Sequence, residues 1–399
     1  MFIVRKTPVA VALLCALMVP YEATAQFPWF GRGRQEQQQP QQPQQQQAGY
    51  GSQSYYYGQQ QPQYQQQYQQ PGYPQQQAQG YYPSYGQAPA QQQQATRSAS
   101  AFGSTGNIAF PSEPGDDVDV LRLQIFLDYH GFSPGEIDGK WGYNTERALF
   151  VYQKMNGMSP TGQLDGRIIQ RLDAFQDGYL MEYTLKSEDL SDRVGSIPRT
   201  YPEQSRLKWL PYESRAEALG EKFHLSQHLL RKLNPGVNFD SVQAGTRVLV
   251  PNVLNGIDMK RGKVSRVQVS KHNKWVMAFD ANDNLMFYFP CTLGQNDKDP
   301  LPIGNYQITT PVKNPPFKYK PHLMWDDNLG KEYDIPPGPN SPVGNIWIGT
   351  TRRSVGLHGT PNPENISKNN SHGCIRLTNW DARTLGDRVS SGVKLEFTN

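Results

Sequence analysis

The chain has 399 residues, a formal net charge of +4 and 19% charged residues. Its length accommodates two or three folded domains. The mild positive charge permits loose attraction to an anionic cell wall and gives no basis for nucleic-acid binding. With 3 cysteines in all, the chain is not a disulfide-stapled scaffold.

Residues 1–25 are predicted to be a secretory signal peptide. A basic start precedes an apolar run at 9–19, and Ala23-Thr24-Ala25 provides a small-residue cleavage site. The run is too short to span a bilayer, and Cys15 lacks the small residue that precedes a lipidated cysteine. We therefore expect export to the periplasm or cell wall, without a transmembrane helix in the mature chain.

Residues 26–115 are predicted to be a disordered tether. The stretch from 37 to 96 contains no charged residue and consists almost wholly of Gln, Tyr, Pro, Gly, Ser and Ala. Such a segment has little aliphatic surface whose burial would offset the entropy cost of ordering. A flexible spacer is favoured, with self-association through Tyr and Gln as the alternative.

Residues 116–176 are predicted to form three short helices joined by glycine turns. Apolar residues from 120 to 127 indicate the first helix, Thr145 is a candidate N-cap of the second, and the third runs through Ile168 and Leu172. The segment resembles the small peptidoglycan-binding domain of wall enzymes, and a purely structural bundle is the alternative. The resemblance rests on Leu123-Gln124, Gly131-Phe132, Ile137-Asp138-Gly139, Gly142, Thr145, Tyr152-Gln153, Gly157 and Thr161-Gly162.

Residues 180–253 resemble a LysM-type carbohydrate-binding module. Two departures from that pattern are a long insert between Ser191 and Glu213 and the lack of a glycine near Glu188. The resemblance implies a LysM-like module with an insert, which would bind glycan. It rests on a strand and turn at 183–190, helical segments at 216–219 and 229–236, and a closing strand at 243–251.

From residue 262 to residue 399 the periodicity becomes that of strands. β-branched and aromatic residues are enriched at 264–269, 275–280 and 285–289, with polar turns between these segments. Many short strands with Pro and Gly turns and few helices predict a mostly-β sandwich or barrel-like domain. The whole chain is therefore expected to be multidomain α+β.

Two histidines and a cysteine lie near the C-terminus, in Gly356-Leu357-His358-Gly359 and in Ser371-His372-Gly373-Cys374. A free thiol with a pKa of about 8.5 is mostly protonated at neutral pH. An imidazole within hydrogen-bond reach can take that proton and leave a strong nucleophile. Glycines on each side of His358 are expected to let the backbone approach a substrate carbonyl. The N–H groups of Gly373 and Cys374 are candidates for an oxyanion hole.

Three alternatives for Cys374 are open. It is a buried structural thiol, which the flanking glycines disfavour. It binds zinc together with His358 and His372, although no fourth ligand stands nearby in the sequence. It pairs with Cys291, although the position of Cys291 at the end of an apolar strand favours a packed thiol.

The segment from about 263 to 399 resembles the L,D-transpeptidase catalytic domain, also called the YkuD domain. The family pattern is a His, a spacer, then Ser or Thr-His-Gly-Cys followed by Arg or Asn. This chain supplies His358, then Ser371-His372-Gly373-Cys374, then Arg376. Segments 302–306, 336–344 and 379–382 are also similar to the family.

The resemblance implies the chemistry. Cys374 attacks the carbonyl of the third, L-configured residue of a stem tetrapeptide and releases the terminal D-Ala. His358 is the general base, oriented by a backbone carbonyl, expected to be that of Gly359. No metal or organic cofactor is implied, because thiol acyl transfer needs only a base and an oxyanion site.

The resemblance also implies supporting roles for the neighbouring residues. His372 is expected to organise the site rather than act as the base, and Ser371 is expected to help fix the imidazoles. Arg376 either holds the nucleophile loop or meets a substrate carboxylate.

Three functions are compatible with these residues. The first is a transpeptidase that cross-links peptidoglycan, with an amine of a neighbouring stem resolving the thioester. The second is an L,D-carboxypeptidase or cross-link-cleaving enzyme, which uses water at the same site. The third is a non-catalytic peptidoglycan-binding protein, and the complete His and Ser-His-Gly-Cys set argues against it.

Overall fold

The computed structural model describes residues 117–192, 194–254, 262–294, 301, 303–321, 330–368 and 373–399. The predicted signal peptide and tether lie outside these residues. The helices are α1 Val118–Tyr129, α2 Tyr143–Met155, α3 Gly166–Asp173, α4 Tyr201–Gln204, α5 Arg215–Lys222, α6 Gln227–Leu233 and α7 Asn379–Gly386. The first strands are β1 Leu180–Thr184, β2 Arg247–Pro251, β3 Arg266–Ser270, β4 Trp275–Phe279, β5 Leu285–Pro290, β6 Gly304–Gln307 and β7 Val312–Lys313. The remaining strands are β8 Phe317–Tyr319, β9 Tyr333–Ile335, β10 Ile346–Gly349, β11 Gly356–His358, β12 Ile375–Arg376 and β13 Lys394–Thr398. Across the described ranges, no helix combines the length and apolar character needed to cross a bilayer.

Helices α1, α2 and α3 form the predicted three-helix unit, and two buried glutamines shape its glycine turns. The Gln124 side chain accepts a hydrogen bond from the N–H of Gly139 at 2.8 Å, and the Gln153 side chain accepts one from the N–H of Gly162 at 2.8 Å. Both glycines have positive φ, 72° and 69°, which costs little without a Cβ. The glutamines of the sequence pattern therefore hold the turns between helices.

The prediction that Thr145 caps α2 is wrong. The N-cap is Gly142, and Thr145 lies inside the helix with its side chain buried. The Thr145 hydroxyl accepts a hydrogen bond from the Gln124 amide at 3.2 Å. It therefore satisfies a polar group in the core instead of a helix terminus.

In residues 180–253, β1 and β2 pair antiparallel and enclose α5 and α6 in the predicted order of strand, two helices and strand, with the additional short helix α4 in the insert. Asn234 ties the end of α6 to β2, because its side chain accepts from the Leu249 N–H at 2.6 Å and donates to the Leu249 carbonyl at 2.8 Å. The core of this unit also takes in Leu121 and Ile125 from α1, so the two accessory units share buried surface. The LysM-like identity of the module stays a prediction.

The C-terminal unit packs two sheets around one hydrophobic core. One sheet has the order β5-β4-β3-β13-β6 and the other the order β12-β11-β10-β7, and buried residues of both belong to a single cluster together with α7. Strands β3, β4 and β5 lie where the sequence predicts strands. The prediction of a mostly-β domain within a multidomain α+β chain is confirmed.

The three-helix unit closes an edge of the larger sheet. Strand β5 is the edge strand, and its Tyr288 exchanges backbone hydrogen bonds with the Gly131-Phe132-Ser133 turn, at 2.8 Å to the Gly131 carbonyl and 2.9 Å from the Ser133 N–H. Covering an edge in this way satisfies backbone groups that would otherwise pair with another chain.

Buried polar contacts join the three units at α7. The Nδ1 atom of His224, just beyond α5, lies 2.9 Å from an Asp128 carboxylate oxygen, and the His224 ring stacks on Trp380 with centroids 5.2 Å apart. The Ser133 hydroxyl donates to the Asp381 carboxylate at 2.9 Å. Each unit thus contributes side chains to one buried cluster.

The Asp381 carboxyl makes the stability of this cluster depend on pH. Burial, together with the nearby Asp128 carboxylate, raises its pKa to about 7. A carboxyl whose pKa is higher in the folded than in the unfolded state costs stability as pH rises from its unfolded value of about 4 through the folded value.

We expect Asp381→Asn to raise the melting temperature at pH 8 and to have little effect at pH 4, because the amide keeps an acceptor without a charge. The rise should be about 3 °C or more, since each kcal/mol shifts the melting temperature of a protein of this size by roughly 2–4 °C. Thermal melts at both pH values measure it, with the exposed Asp240→Asn as control. Equal destabilisation at both pH values would contradict the assignment.

Candidate active site

Parallel pairing of β11 with β12 brings the predicted base and nucleophile segments together. The register places Leu357 beside Ile375 and His358 beside Arg376. Both Leu357 and Ile375 are fully buried in the core. Since side chains alternate across a strand, His358, Arg376 and Cys374 occupy the opposite face.

The backbone of this segment is fixed from both sides. The Arg376 N–H donates to the Thr292 carbonyl at 2.8 Å, and the Thr292 N–H donates back to the Arg376 carbonyl at 2.9 Å. The Leu377 N–H donates to the His358 carbonyl at 2.8 Å. Ile375, the residue after Cys374, thus begins the paired strand β12, and this strand fixes the position of the thiol beside it.

The His358 ring is buried and held in one orientation. Its Nδ1 lies 2.7 Å from the Gly359 carbonyl oxygen, and the ring stacks on Trp347 with centroids 5.5 Å apart and planes at 14°. A carbonyl accepts only, so Nδ1 carries the proton and Nε2 is left as the acceptor. The contact with Gly359 is the one that the sequence analysis expects.

The electrostatic setting keeps His358 neutral. Burial lowers its pKa to about 4, and the positive charge of Arg376 adds to the effect. The imidazole is therefore uncharged at neutral pH and able to accept a proton.

Cys374 is half-buried at the start of the paired segment. Its Sγ lies 3.8 Å from the Ser354 carbonyl oxygen. The Arg376 guanidinium, whose pKa is lowered by burial, interacts electrostatically with Cys374. A nearby cation favours the thiolate. Gly373, directly before it, has a φ of 101°, a region that side chains rarely adopt.

The glycines flanking His358 have a packing role rather than the expected role of exposing backbone. A Cβ on Gly356 would lie 2.4 Å from the Trp347 ring, and a Cβ on Gly359 would lie 2.0 Å from the Asn379 side-chain oxygen. Both glycines are therefore needed so that Trp347 and Asn379 can pack beside the His358 strand.

The other predicted residues are placed as follows. Ser371 and His372 lie outside the described residues. Cys291 is a fully buried thiol of the core whose pKa burial raises strongly, and neither Cys291 nor Cys374 forms a disulfide. Cys291 is thus the packed thiol that the sequence favours.

Residues that the sequence analysis missed are Trp347 and Ser354. The alternating pattern Ile346-Trp347-Ile348 could have predicted that Trp347 faces away from the core. The two isoleucines are buried, and Trp347 lies on the same sheet face as His358, its partner in the β10–β11 register. No local signal marks the Ser354 carbonyl as a contact of the thiol.

Two segments of the chain match known protein families. Residues 264–396 match the family described as "L,D-transpeptidase catalytic domain" (YkuD), and residues 116–172 match the "Putative peptidoglycan binding domain" family. The resemblances to these two families are confirmed, and the resemblance of residues 180–253 to a LysM-type module stays a prediction. The match to the L,D-transpeptidase family covers the C-terminal unit, in which two sheets pack around one core.

Several curated relatives carry L,D-transpeptidase names. A Bacillus licheniformis protein, "Putative L,D-transpeptidase YkuD", is 25% identical over 182 residues, covering 46% of this chain and 92% of the relative. The Bacillus subtilis protein of the same name is 31% identical over 99 residues, covering 23% of this chain and 60% of the relative. The Salmonella typhimurium "Probable L,D-transpeptidase ErfK/SrfK" is 29% identical over 205 residues, covering 47% of this chain and 59% of the relative. The chain thus spans less than two thirds of the last two.

Solved structures resemble the chain only weakly. A Mycobacterium smegmatis L,D-transpeptidase has a TM-score of 0.28 and 18% identity, covering 39% of this chain and 64% of that one. A Xylanimonas cellulosilytica L,D-transpeptidase has a TM-score of 0.32 and 14% identity, covering 72% of this chain and 97% of that one. The family matches are the stronger finding: residues 264–396 are similar to the L,D-transpeptidase catalytic domain (YkuD), and residues 116–172 before them are similar to the putative peptidoglycan binding domain.

Proposed function

We propose that this chain is a cell-wall L,D-transpeptidase that cross-links peptidoglycan through a thioester on Cys374. The observation that carries the proposal is the β11–β12 register, which puts Cys374, His358 and Arg376 on one face of the matched catalytic domain. The half-buried thiol is the nucleophile and the neutral acceptor imidazole is the base that thiol acyl transfer requires, and a nearby cation favours negative charge on the sulfur.

The first half of the reaction acylates the enzyme. The Cys374 sulfur attacks the carbonyl of the third residue of a stem tetrapeptide while Nε2 of His358 takes the thiol proton. The N–H groups of Gly373 and Cys374 are the proposed oxyanion donors. The amide C–N bond then breaks, and D-Ala leaves as an amine that receives the proton from His358.

The second half transfers the acyl group. An amine of a neighbouring stem attacks the thioester, His358 takes a proton from that amine, and Cys374 leaves as the thiol. Water in place of the amine gives hydrolysis by the same residues, which is the carboxypeptidase or endopeptidase alternative. The acceptor that reaches the thioester decides between the two outcomes.

The proposal includes an exported location in the periplasm or cell wall. Peptidoglycan lies there, the chain carries a peptidoglycan-binding domain beside the catalytic domain, and residues 1–25 have a signal-peptide pattern. We propose that residues 116–253 hold the enzyme on the wall. Sedimentation of the full chain with purified peptidoglycan tests this, and a chain that stays in the supernatant argues for a spacer role.

Incubation with a disaccharide tetrapeptide is expected to give a cross-linked dimer and free D-Ala, detected by mass spectrometry. Cys374→Ala should lower product formation by about a thousandfold or more, whereas Cys291→Ala should retain it because that thiol is buried in the core. A carbapenem should add to the wild type and not to Cys374→Ala.

The product mixture separates the alternatives. Tripeptide without dimer would replace the transpeptidase proposal by hydrolysis. Absence of both products, together with absence of a carbapenem adduct, would point to a non-catalytic wall-binding protein. Full turnover by Cys374→Ala would remove Cys374 as the nucleophile.

The pH profile of kcat/KM is expected to reflect the pKa of the buried His358 imidazole. Because burial and Arg376 lower the pKa of His358 to about 4, the acidic limb should lie well below the ordinary histidine value of about 6.5. Arg376→Gln removes a positive charge, so imidazolium forms more easily and the acidic limb should move upward.

Rates measured from pH 4 to pH 9 test this, with the exposed Arg231→Gln as a charge-matched control. An acidic limb near 6.5 that does not respond to Arg376→Gln would argue against a buried His358 as the base.

A further inference from the structure

The insert between β1 and α5 leaves its own module and lies against the catalytic domain. We call residues 194–212 the docked loop. Its ends are held together, because Val194 and Tyr212 form a β-bridge and the Gly195 N–H donates to the Tyr212 carbonyl at 2.9 Å. Loops with joined ends and their own packing are often functional.

Reciprocal hydrogen bonds anchor the docked loop to the segment that follows β9. The Leu210 N–H donates to the Pro337 carbonyl at 2.9 Å, and the Asn340 N–H donates to the Leu210 carbonyl at 3.4 Å. The Asn340 side-chain amide donates to the Pro211 carbonyl at 2.8 Å. Leu210 itself is fully buried, so the contact is an extended interface rather than a surface touch.

The catalytic domain is shaped to receive this contact. Gly338 has a φ of 145°, and a Cβ at this position would lie 2.0 Å from the Leu210 carbonyl oxygen. Only glycine allows the two backbones to approach so closely. The end of the docked loop is tied in as well, because the Tyr212 hydroxyl and the Asn345 amide both donate to the Glu221 carboxylate, at 2.8 Å and 2.9 Å.

Tyr201 is the residue of the docked loop whose ring packs against β8 of the catalytic domain. It begins α4, and its ring centroid lies 4.9 Å from that of Tyr319 and 6.0 Å from that of Phe317, both on β8. Tyr201 also interacts electrostatically with the Arg376 guanidinium, as Cys374 does. One cation therefore has the nucleophile and this tyrosine as neighbours.

We propose that Tyr201 is a specificity-determining residue that binds the donor stem peptide beside Arg376, so that the accessory module supplies part of the substrate cleft. This rests on the proposed transpeptidase function. The half-buried rings of Tyr201 and Phe317, which pack on the buried ring of Tyr319, offer an apolar face to the methyl and methylene groups of the stem. The Tyr201 hydroxyl and Arg376 offer polar contacts suited to its carboxylates.

The test compares Tyr201→Ala, Tyr201→Phe and the control Lys208→Ala, an exposed residue of the same loop. With soluble tetrapeptide as donor, Tyr201→Ala should raise KM roughly three- to tenfold while kcat stays nearly unchanged. Tyr201→Phe should recover most of the affinity, because the ring remains. Lys208→Ala should match the wild type.

Two further readouts distinguish substrate binding from a structural role. Alkylation of Cys374 by iodoacetamide, which does not need the rings of Tyr201 and Phe317, should proceed at the wild-type rate in Tyr201→Ala, and the melting temperature should be unchanged. An unchanged KM in Tyr201→Ala would overturn the inference. So would a fall in kcat that tracks slower alkylation or a lower melting temperature.

A binding measurement distinguishes a wrong role for Tyr201 from a wrong transpeptidase function. Binding of the tetrapeptide to Cys374→Ala, with and without Tyr201→Ala, is measured by calorimetry and needs no turnover. Weaker binding in the double variant supports the role of Tyr201 even if the wild type forms no dimer, an outcome that would remove only the transpeptidase function. Equal binding in both variants overturns the role of Tyr201 even if the wild type is fully active.

Discussion

The pairing of β11 with β12 is the constraint on which the site depends. Leu357 and Ile375 are fully buried on one face of this pair, and their burial fixes the register because a slip by one residue would exchange the two faces. The same register carries His358, Arg376 and Cys374 to the face opposite the core. Hydrophobic packing thus positions the chemistry, and residues that never meet substrate decide where the thiol and the imidazole lie.

Burial of the site has an electrostatic consequence. His358 is sealed between the Trp347 ring and the Gly359 carbonyl, so the charged imidazolium is disfavoured, and Arg376 disfavours it further. The same guanidinium favours a thiolate at Cys374. In the proposed mechanism the two groups have separate tasks: the Arg376 cation stabilises negative charge on the sulfur, and the neutral His358 imidazole carries the proton during the reaction.

The sequence predicted the elements of the site better than their arrangement. The Ser-His-Gly-Cys segment, His358 and the strands β3 to β5 follow from local pattern, because strand periodicity and short motifs are written in neighbouring residues. The β11–β12 pairing, the Trp347 stack and the packing roles of Gly356 and Gly359 depend on residues far apart in sequence, so no local pattern encodes them. Thr145 shows the same limit, since its buried partner Gln124 decides that it faces the core instead of capping α2.

The docked loop gives the insert between Ser191 and Glu213 a structural role. In the sequence it is a departure from the LysM pattern, whereas in the structure it is bound by Leu210 and Gly338 to the catalytic domain. Together with the buried contact between His224 and Asp128, it joins modules that a flexible linker would leave independent. The proposed wall attachment through residues 116–253 would then orient Cys374 relative to the glycan, because buried contacts join residues 116–253 to the catalytic domain.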